Sequence, residues 1–237
     1  MKAGLAVPSY GPTDSLCAKD VRVAIMNASA AGLTWVGDIS PDRMGFSSAR
    51  NAVCQTVIGE GPDFTDGVVW IDNDMRMPRW AITRMILAAK KLDADFVSGV
   101  YHKRGEGYTP VFYMFEEKDD QFWSIDDYPE DMIVPADGCG FGFVWTSFKM
   151  IDAIARHEDF VPEDGWFKKQ GLSEDLAFCY FARKAGFQLY VDTGIQLGHT
   201  GEPEVITREH FLRAKEEKKT GTKDGVPLVR GKKGWGR

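Results

Sequence analysis

The 237-residue sequence has no apolar run near the ~18 residues that cross a bilayer, which excludes a transmembrane helix and stable membrane insertion through one. Cysteine is sparse. Cys17, Cys54, Cys139 and Cys179 lie far apart and never form C-x-x-C, which argues against a zinc ribbon and a disulfide scaffold and fits a reducing cytosol. There is no G-x-x-x-x-G-K-[ST], no G-x-S-x-G and no G-x-G-x-x-G, so a P-loop NTPase, an α/β-hydrolase and a dinucleotide fingerprint lose their support. The opening MKAGLAVPSYG has too short an apolar stretch for a signal peptide and reads as a first β-strand, with the cytoplasm as the expected location.

Charge is unevenly spread. The net charge is -6, yet the segment from Leu212 to Arg237 holds nine Lys/Arg against three Asp/Glu, leaving 20 basic against 32 acidic residues on the rest. So acidic a body is not that of a general nucleic-acid binder. Domain organisation follows: a single domain over residues 1–211, then a basic, Gly-rich tail over 212–237 that is expected to be mobile.

Hydrophobic periodicity organises the chain. Strands are expected at Ala3–Val7, Leu33–Ile39, Val68–Ile71 and Phe96–Val100. Between them run helices from about Leu16 to Ala31, from Ser47 or Ser48 as N-cap to Gly59, and after Pro78 with Ile82, Met85, Ile86 and Ala89 as the apolar face. Val68–Ile71 is apolar throughout, the pattern of a strand buried on both faces. This alternation predicts an α/β fold, a mostly parallel sheet with helices on both faces. The second half offers strands at Pro110–Glu116 and Phe141–Trp145, an acidic aromatic loop from Asp119 to Asp131 and a helix from Phe148 to His157. A helix capped by Ser173 and ending at Gly186, a strand at Phe187–Val191 and a final charged helix introduced by Pro203 and Thr207 complete it.

In open α/β sheets, ligands bind beyond the carboxyl ends of the parallel strands. That rule separates two D-x-D pairs. Asp72 and Asp74, in VVWIDNDM, follow a buried strand and can hold a divalent cation with the oxygens of a diphosphate. Asp93 and Asp95 have the same spacing but precede their strand, where a solvated pair ending a helix is the natural reading. His199, in LGHTG after the last strand, can complete a mixed oxygen and nitrogen site suited to Mn2+ or Mg2+. His102, His157 and His210 read as structural or surface residues. Glu174 and Asp175 open a helix, where two acids favour the positive helix end, but a carboxylate facing a cleft there can also act as a general base. The glycines of ADGCGFGF suit a chain that passes close beneath a sugar or another strand. Trp123, Trp145 and Trp166 offer flat apolar surface, either as core or as sugar platforms.

Taken in order, PSY after the first strand, SSARN, WIDNDM, GCGFGFVWTSFKMIDAI, SEDLAF followed by RKAGF, and GHTG resemble a GT-A glycosyltransferase of the family 2 type, in a compact version similar to those of bacteriophages. The resemblance spans roughly Ala3 to Gly201. It implies a GT-A fold with a small antiparallel portion on the acceptor side, and a host-cytoplasm location if phage-encoded. It implies a nucleotide-sugar site of Pro8, Tyr10, Asp38, Arg50, Asn51, Asp72, Asn73 and Gly140, in which Pro8 and Tyr10 border the base, Asp38 faces base or ribose, and Arg50 lies near phosphate. Asp74, His199 and Asp72 would hold Mn2+ or Mg2+, with Asp72 reaching the ribose or a metal-bound water, and Asp175 with Glu174 would serve catalysis, Asp175 taking the acceptor proton in an inverting transfer. The long acceptor-recognition arm of many relatives is missing.

The implied function is metal-dependent transfer of a hexose from a UDP-sugar, UDP-glucose or UDP-galactose, to a hydroxyl of an unidentified glycan, small-molecule or protein acceptor. The alternatives are a catalytically silent nucleotide-sugar or glycan-binding protein, a sugar nucleotidyltransferase, and a glycosyltransferase acting on modified DNA. PSYGPTD supplies no cation for a triphosphate, which counts against the nucleotidyltransferase, and the acidic body counts against DNA.

Overall fold

The alternating pattern of the first hundred residues folds as expected. A computed structural model describes residues 1–9, 13, 15–41, 43–105, 107–201, 205–220, 222–223 and 226–227. In chain order it contains β1 (Lys2–Ala6), α1 (Ser15–Ala30), β2 (Thr34–Asp38), α2 (Phe46–Glu60), β3 (Gly67–Ile71), β4 (Met75–Arg76), α3 (Ala81–Leu92) and β5 (Phe96–Val100). Then follow β6 (Phe112–Glu116), β7 (Gln121–Ser124), β8 (Ile133–Ala136), β9 (Gly138–Cys139), β10 (Phe143–Ser147), α4 (Phe148–Ala155), α5 (Glu174–Lys184), β11 (Leu189–Gln196), β12 (Gly198–Thr200), β13 (Val205–Ile206) and α6 (Arg208–Thr220). Tyr10, and most of the tail beyond α6, lie outside the described residues.

Among the described residues the central sheet has the order β2-β1-β3-β10-β5-β11-β8. β1 pairs in parallel with β2 and β3, and β5 with β11, while β10 and β8 run antiparallel. Five strands therefore end on one edge of the sheet. Two apolar clusters sandwich it. Val68 and Trp70 of β3 pack with Val53 and Val57 of α2, Ile151 and Ile154 of α4 and Phe178 of α5. Val69 and Ile71, pointing the other way, pack with Val21 and Ala24 of α1 and Ile82 and Met85 of α3. Every residue of β3 is buried, which is why its sequence shows no alternation. Trp145 and Trp166 belong to the core, whereas Trp123 is exposed on β7.

Several boundaries differ from the sequence reading. α2 starts at Phe46, with Gly45 in the N-cap position and no side-chain cap, so neither Ser47 nor Ser48 caps it. The Phe46 ring lies 5.7 Å from the Arg50 guanidinium, one turn away, and that contact extends the helix. α2 also runs past Gly59 to Glu60, with Gly61 as its C-cap at a φ of +83°. Ser173 occupies the N-cap position of α5, but its side chain accepts no cap hydrogen bond. The acidic segment from Asp119 to Asp131 is not a continuous loop: β7 pairs with β6, matching Phe115 to Phe122 and Met114 to Trp123. These cross-strand aromatic and Met–Trp pairs hold a hairpin that the high charge around it conceals.

Three small antiparallel sheets complete the architecture of the described residues: β7-β6-β9, β13-β12-β4, and a hairpin pairing Thr222–Lys223 with Val226–Pro227. In the second, His199 of β12 stands opposite Met75 of β4. No helix of the described residues is long and apolar enough to cross a membrane.

Candidate active site

The start of α2, the carboxyl ends of β3 and β5, the start of α5 and strand β12 converge on one cavity of about 170 Å³. It is lined by Phe46, Arg50, Asp72, Asn73, Asp74, Tyr101, Arg104, Glu174, Asp175 and His199. A larger cavity of about 310 Å³ lies by residues 159–170 and α5. There, Lys168 and Asp164 neutralise each other.

Arg50 organises one side of the cleft. It is 2% exposed and reaches three carboxylates: Asp175 at 2.5 Å, Asp72 at 2.8 Å and Glu174 at 3.6 Å. The rings of Phe46, Phe141 and Phe167 surround its guanidinium at 5.5 to 5.8 Å. Burial opposes its charge, but Asp175 and Asp72 outweigh that and hold its pKa above even the ordinary arginine value. The acids respond differently. Burial, with the charges of Asp175 and Asp74, pushes Asp72 up to about 6 against the pull of Arg50. Asp175 is also raised, by burial and by Glu174, although Arg50 pulls it down.

Arg50→Met should therefore lower stability by about 1–3 kcal/mol, because it leaves partly buried acids without their counter-ion. Denaturant melts at pH 7 would measure this, and a loss below ~1 kcal/mol would contradict the role assigned to Arg50.

The other side is built on Asp74. Its Oδ2 meets His199 Nε2 at 3.3 Å and Arg104 Nη2 at 2.6 Å. Its backbone carbonyl accepts from the Thr200 N–H at 2.9 Å, an extension of the β4–β12 pairing. Burial works against its ionisation, but the hydrogen bond and charge of His199, with Arg104, win and hold its pKa below the usual carboxylate range. His199 Nδ1 lies 2.9 Å from the carbonyl of His102. A carbonyl only accepts, so Nδ1 carries the proton. In the neutral ring Nε2 is then a lone pair aimed at a carboxylate oxygen, itself an acceptor. Two acceptors at this distance call for a cation or a proton between them. Asp74 Oδ1 is buried and has no hydrogen-bond partner among the described residues.

This donor set fits a hard divalent ion, with the His102 carbonyl orienting the imidazole as such second partners do. The described residues gather no group of three metal-binding side chains. Asp72, expected also to reach the metal, is turned onto Arg50 instead. The protein thus offers two donors, an arrangement that leaves positions for phosphate oxygens and water.

The remaining expected residues divide. Asn73 lines the cleft and donates to Ser9 Oγ at 3.0 Å, tying the β3 end to the β1 end. Pro8 is buried beside it. Asp38 is exposed at the end of edge strand β2 and accepts from the Ser40 N–H at 2.9 Å. Asn51 does not enter the cleft. Its carboxamide clamps the loop beneath, donating to the Asp164 carbonyl and accepting from the Phe167 N–H, which seats Phe167 against Arg50. Gly140 is buried under Tyr101 rather than lining the cavity: a Cβ there would lie 2.0 Å from the Tyr101 hydroxyl. The absent side chain lets Tyr101 form the floor and stand edge-on to His199, ring centroids 5.4 Å apart.

Tyr101, Arg104 and Phe46 are the cleft residues that sequence reasoning missed. Tyr101 and Arg104 follow β5 just as Asp72 and Asp74 follow β3, so the strand-end rule contained the signal. His102 is fully buried and stacked on Phe211 of α6, a structural histidine as expected. The Asp93–Asp95 pair is structural too. Asp93 ends α3 in a left-handed conformation, and Asp95 accepts from Ser147 Oγ at 2.7 Å and Lys149 Nζ at 3.1 Å. Asp95→Ala should cost about 1 kcal/mol through these lost bonds and leave nucleotide binding untouched. A calorimetric titration showing weaker UDP binding would contradict that assignment.

No protein-family model and no curated protein sequence matches the chain. Solved structures do. The chain is similar to A197 from STIV, with a TM-score of 0.57 and 16% identity over 98% of this chain and all of that one. It is also similar to GalNAc-T7, crystallised with UDP, GalNAc and Mn2+, with a TM-score of 0.55 and 9% identity over 91% of this chain and 47% of that chain. The fold is of the GT-A type, as the ordered motifs imply.

Proposed function

We propose that the protein is a metal-dependent glycosyltransferase that moves a hexose from a UDP-sugar to an acceptor hydroxyl. The observation that carries this reading is the Asp74–His199 pair: a carboxylate oxygen and an imidazole nitrogen facing each other at 3.3 Å, with a second Asp74 oxygen buried and unpartnered among the described residues, at the carboxyl edge of a GT-A sheet. The UDP and Mn2+ in the GalNAc-T7 structure agree with it.

Charge supports the same conclusion. The cleft lining holds four carboxylates and only two guanidinium groups, so its formal charges leave a deficit of two. A nucleotide diphosphate entering alone would be repelled. A bound divalent ion would supply the missing charge and stabilise the departing diphosphate. The cavity is smaller than the ~300–1,000 Å³ typical of small-molecule sites. It suits the diphosphate and the sugar's reacting end, while the nucleoside extends over the β1 end toward Pro8 and Asp38.

Asp175 is then the acceptor's general base. Burial raises its pKa and makes it a stronger base than an exposed aspartate. Arg50 keeps it oriented and supports its ionised form. Asn73, tied to Ser9, fixes the loop between the strand end and Asp74. An inverting displacement uses these groups as two separate sets, one at the leaving diphosphate and one at the incoming hydroxyl.

The test is a panel of nucleotide sugars assayed with and without Mn2+ for UDP release, with mass measurement of any product. Mn2+-dependent release from one UDP-hexose is the expected result. UDP–Mn2+ binding without release from any donor, acceptors included, would favour a silent binding protein.

A further inference from the structure

Arg104 is the least explained group in the cleft. It stands on the loop after β5, and its side chain is 53% exposed. Among the described residues its one charged partner is Asp74, at 2.6 Å. The loop is closed on itself by the Lys103 N–H to the Thr109 carbonyl at 2.9 Å, and Gly105 and Gly107 have φ of +102° and +83°. Arg50 offers the contrast. That guanidinium is buried, ringed by aromatics and shared by three acids, so it is part of the framework. Arg104 is held by a single carboxylate oxygen and faces solvent.

That oxygen, Asp74 Oδ2, is also the one that faces His199 Nε2. A metal ion placed between Asp74 and His199 meets the guanidinium at the same atom. One oxygen cannot serve a dication and a guanidinium at full strength, since the two cations repel each other at contact distance. Arriving metal therefore displaces Arg104, and the other carboxylates of the cleft, Asp72, Glu174 and Asp175, already pair with Arg50. The anion that comes with the metal is the diphosphate. A planar guanidinium suits phosphate oxygens bidentately.

From this we infer that Arg104 is an exchange ligand. It neutralises Asp74 in the metal-free enzyme, and when metal and donor enter together it moves onto the diphosphate. The exchange couples metal and nucleotide binding: metal alone must displace Arg104 without return, whereas metal with a diphosphate gives Arg104 a new partner. Donor and metal should bind synergistically, and Arg104 should set the size of the synergy. The inference rests on the metal site assigned to Asp74 and His199.

The experiment titrates Mn2+ into wild type, Arg104→Met and Arg104→Lys, without nucleotide and with saturating UDP, following free Mn2+ by electron paramagnetic resonance. UDP is then titrated at saturating Mn2+ by calorimetry. Arg104→Met should bind Mn2+ alone on the order of tenfold more tightly and UDP–Mn2+ on the order of tenfold more weakly, shrinking the synergy by about their product. Arg104→Lys, which keeps the charge but loses the fork, should fall between. If wild type shows Mn2+-dependent UDP binding but Arg104→Met matches it in both titrations, the exchange is wrong and the metal site stands. If wild type binds no Mn2+ even with UDP, the metal site fails and the exchange falls with it. Weaker Mn2+ binding by Arg104→Met alone would also overturn the proposal, by showing that Arg104 supports the ion instead of competing with it.

Discussion

Asp74→Ala is expected to weaken UDP binding in Mn2+ by about 100-fold or more, and to cut transfer at least as far, since a metal at a departing diphosphate contributes several kcal/mol. His199→Ala should do the same to a smaller degree, because it leaves the carboxylate in place. In the absence of metal neither variant should bind UDP less well than wild type. Asp74→Ala even removes a negative charge from an acidic cleft and releases Arg104 from its only charged partner among the described residues. Calorimetric titration of UDP in Mn2+ and in chelator, side by side, separates the two conditions. Variants that bind UDP and Mn2+ like wild type would remove Asp74 and His199 from the metal site.

Asp175→Asn is expected to lower turnover by about 100- to 10,000-fold while keeping UDP-sugar binding, the cost of losing a general base. Asn keeps an oxygen toward Arg50 and remains suited to the first turn of α5. Its effect on stability distinguishes catalysis from structure. Burial and Glu174 raise the pKa of Asp175 despite Arg50, so the folded protein holds the ionised carboxylate at a cost. That cost is present at pH values above its raised pKa and vanishes as pH falls below the ordinary carboxylate range. At pH 7 the neutral isostere should therefore leave Tm unchanged or raise it. Low turnover with an unchanged or higher Tm is the signature of an acid kept for chemistry. Near-normal turnover would leave Asp175 only its helix-start role, and a large fall in Tm would make its pairing with Arg50 the dominant effect.

Much of the scaffold was legible in the residues themselves. β1, β2, β3 and β5 and helices α1 to α5 follow from local signals: apolar residues at helical spacing, a fully apolar strand, glycine and proline at the ends. Asp72 and Asp74 were legible as a site because their position after a buried strand places them on the edge where parallel strands end, and Asp93 with Asp95 could be set aside by the same rule. What was missed in the fold is short or masked by charge. β4 and β12 are two and three residues long, too short to show any periodicity, and β7 sits in a run of acids. Such strands exist only because partner backbones accept their hydrogen bonds.

The chemistry of the cleft depends on those missed pairings and on burial. His199 stands 125 residues from Asp74 in sequence. The β4–β12 pairing brings it alongside, and a carbonyl of His102 sets its tautomer. Arg50 and Asn51 are neighbours on one helix, and sequence reasoning treated them as a pair lining a pocket. In the fold they part: Arg50 turns into the cleft between carboxylates, and Asn51 spends its carboxamide on the loop below. Local sequence determines which face of a helix is apolar. It does not determine which buried charges must find one another, because desolvation penalises each unpaired ion and only the assembled structure offers the partners. Residue types and strand order thus determined where the proposed diphosphate site lies, and tertiary packing decided which atoms are left facing it.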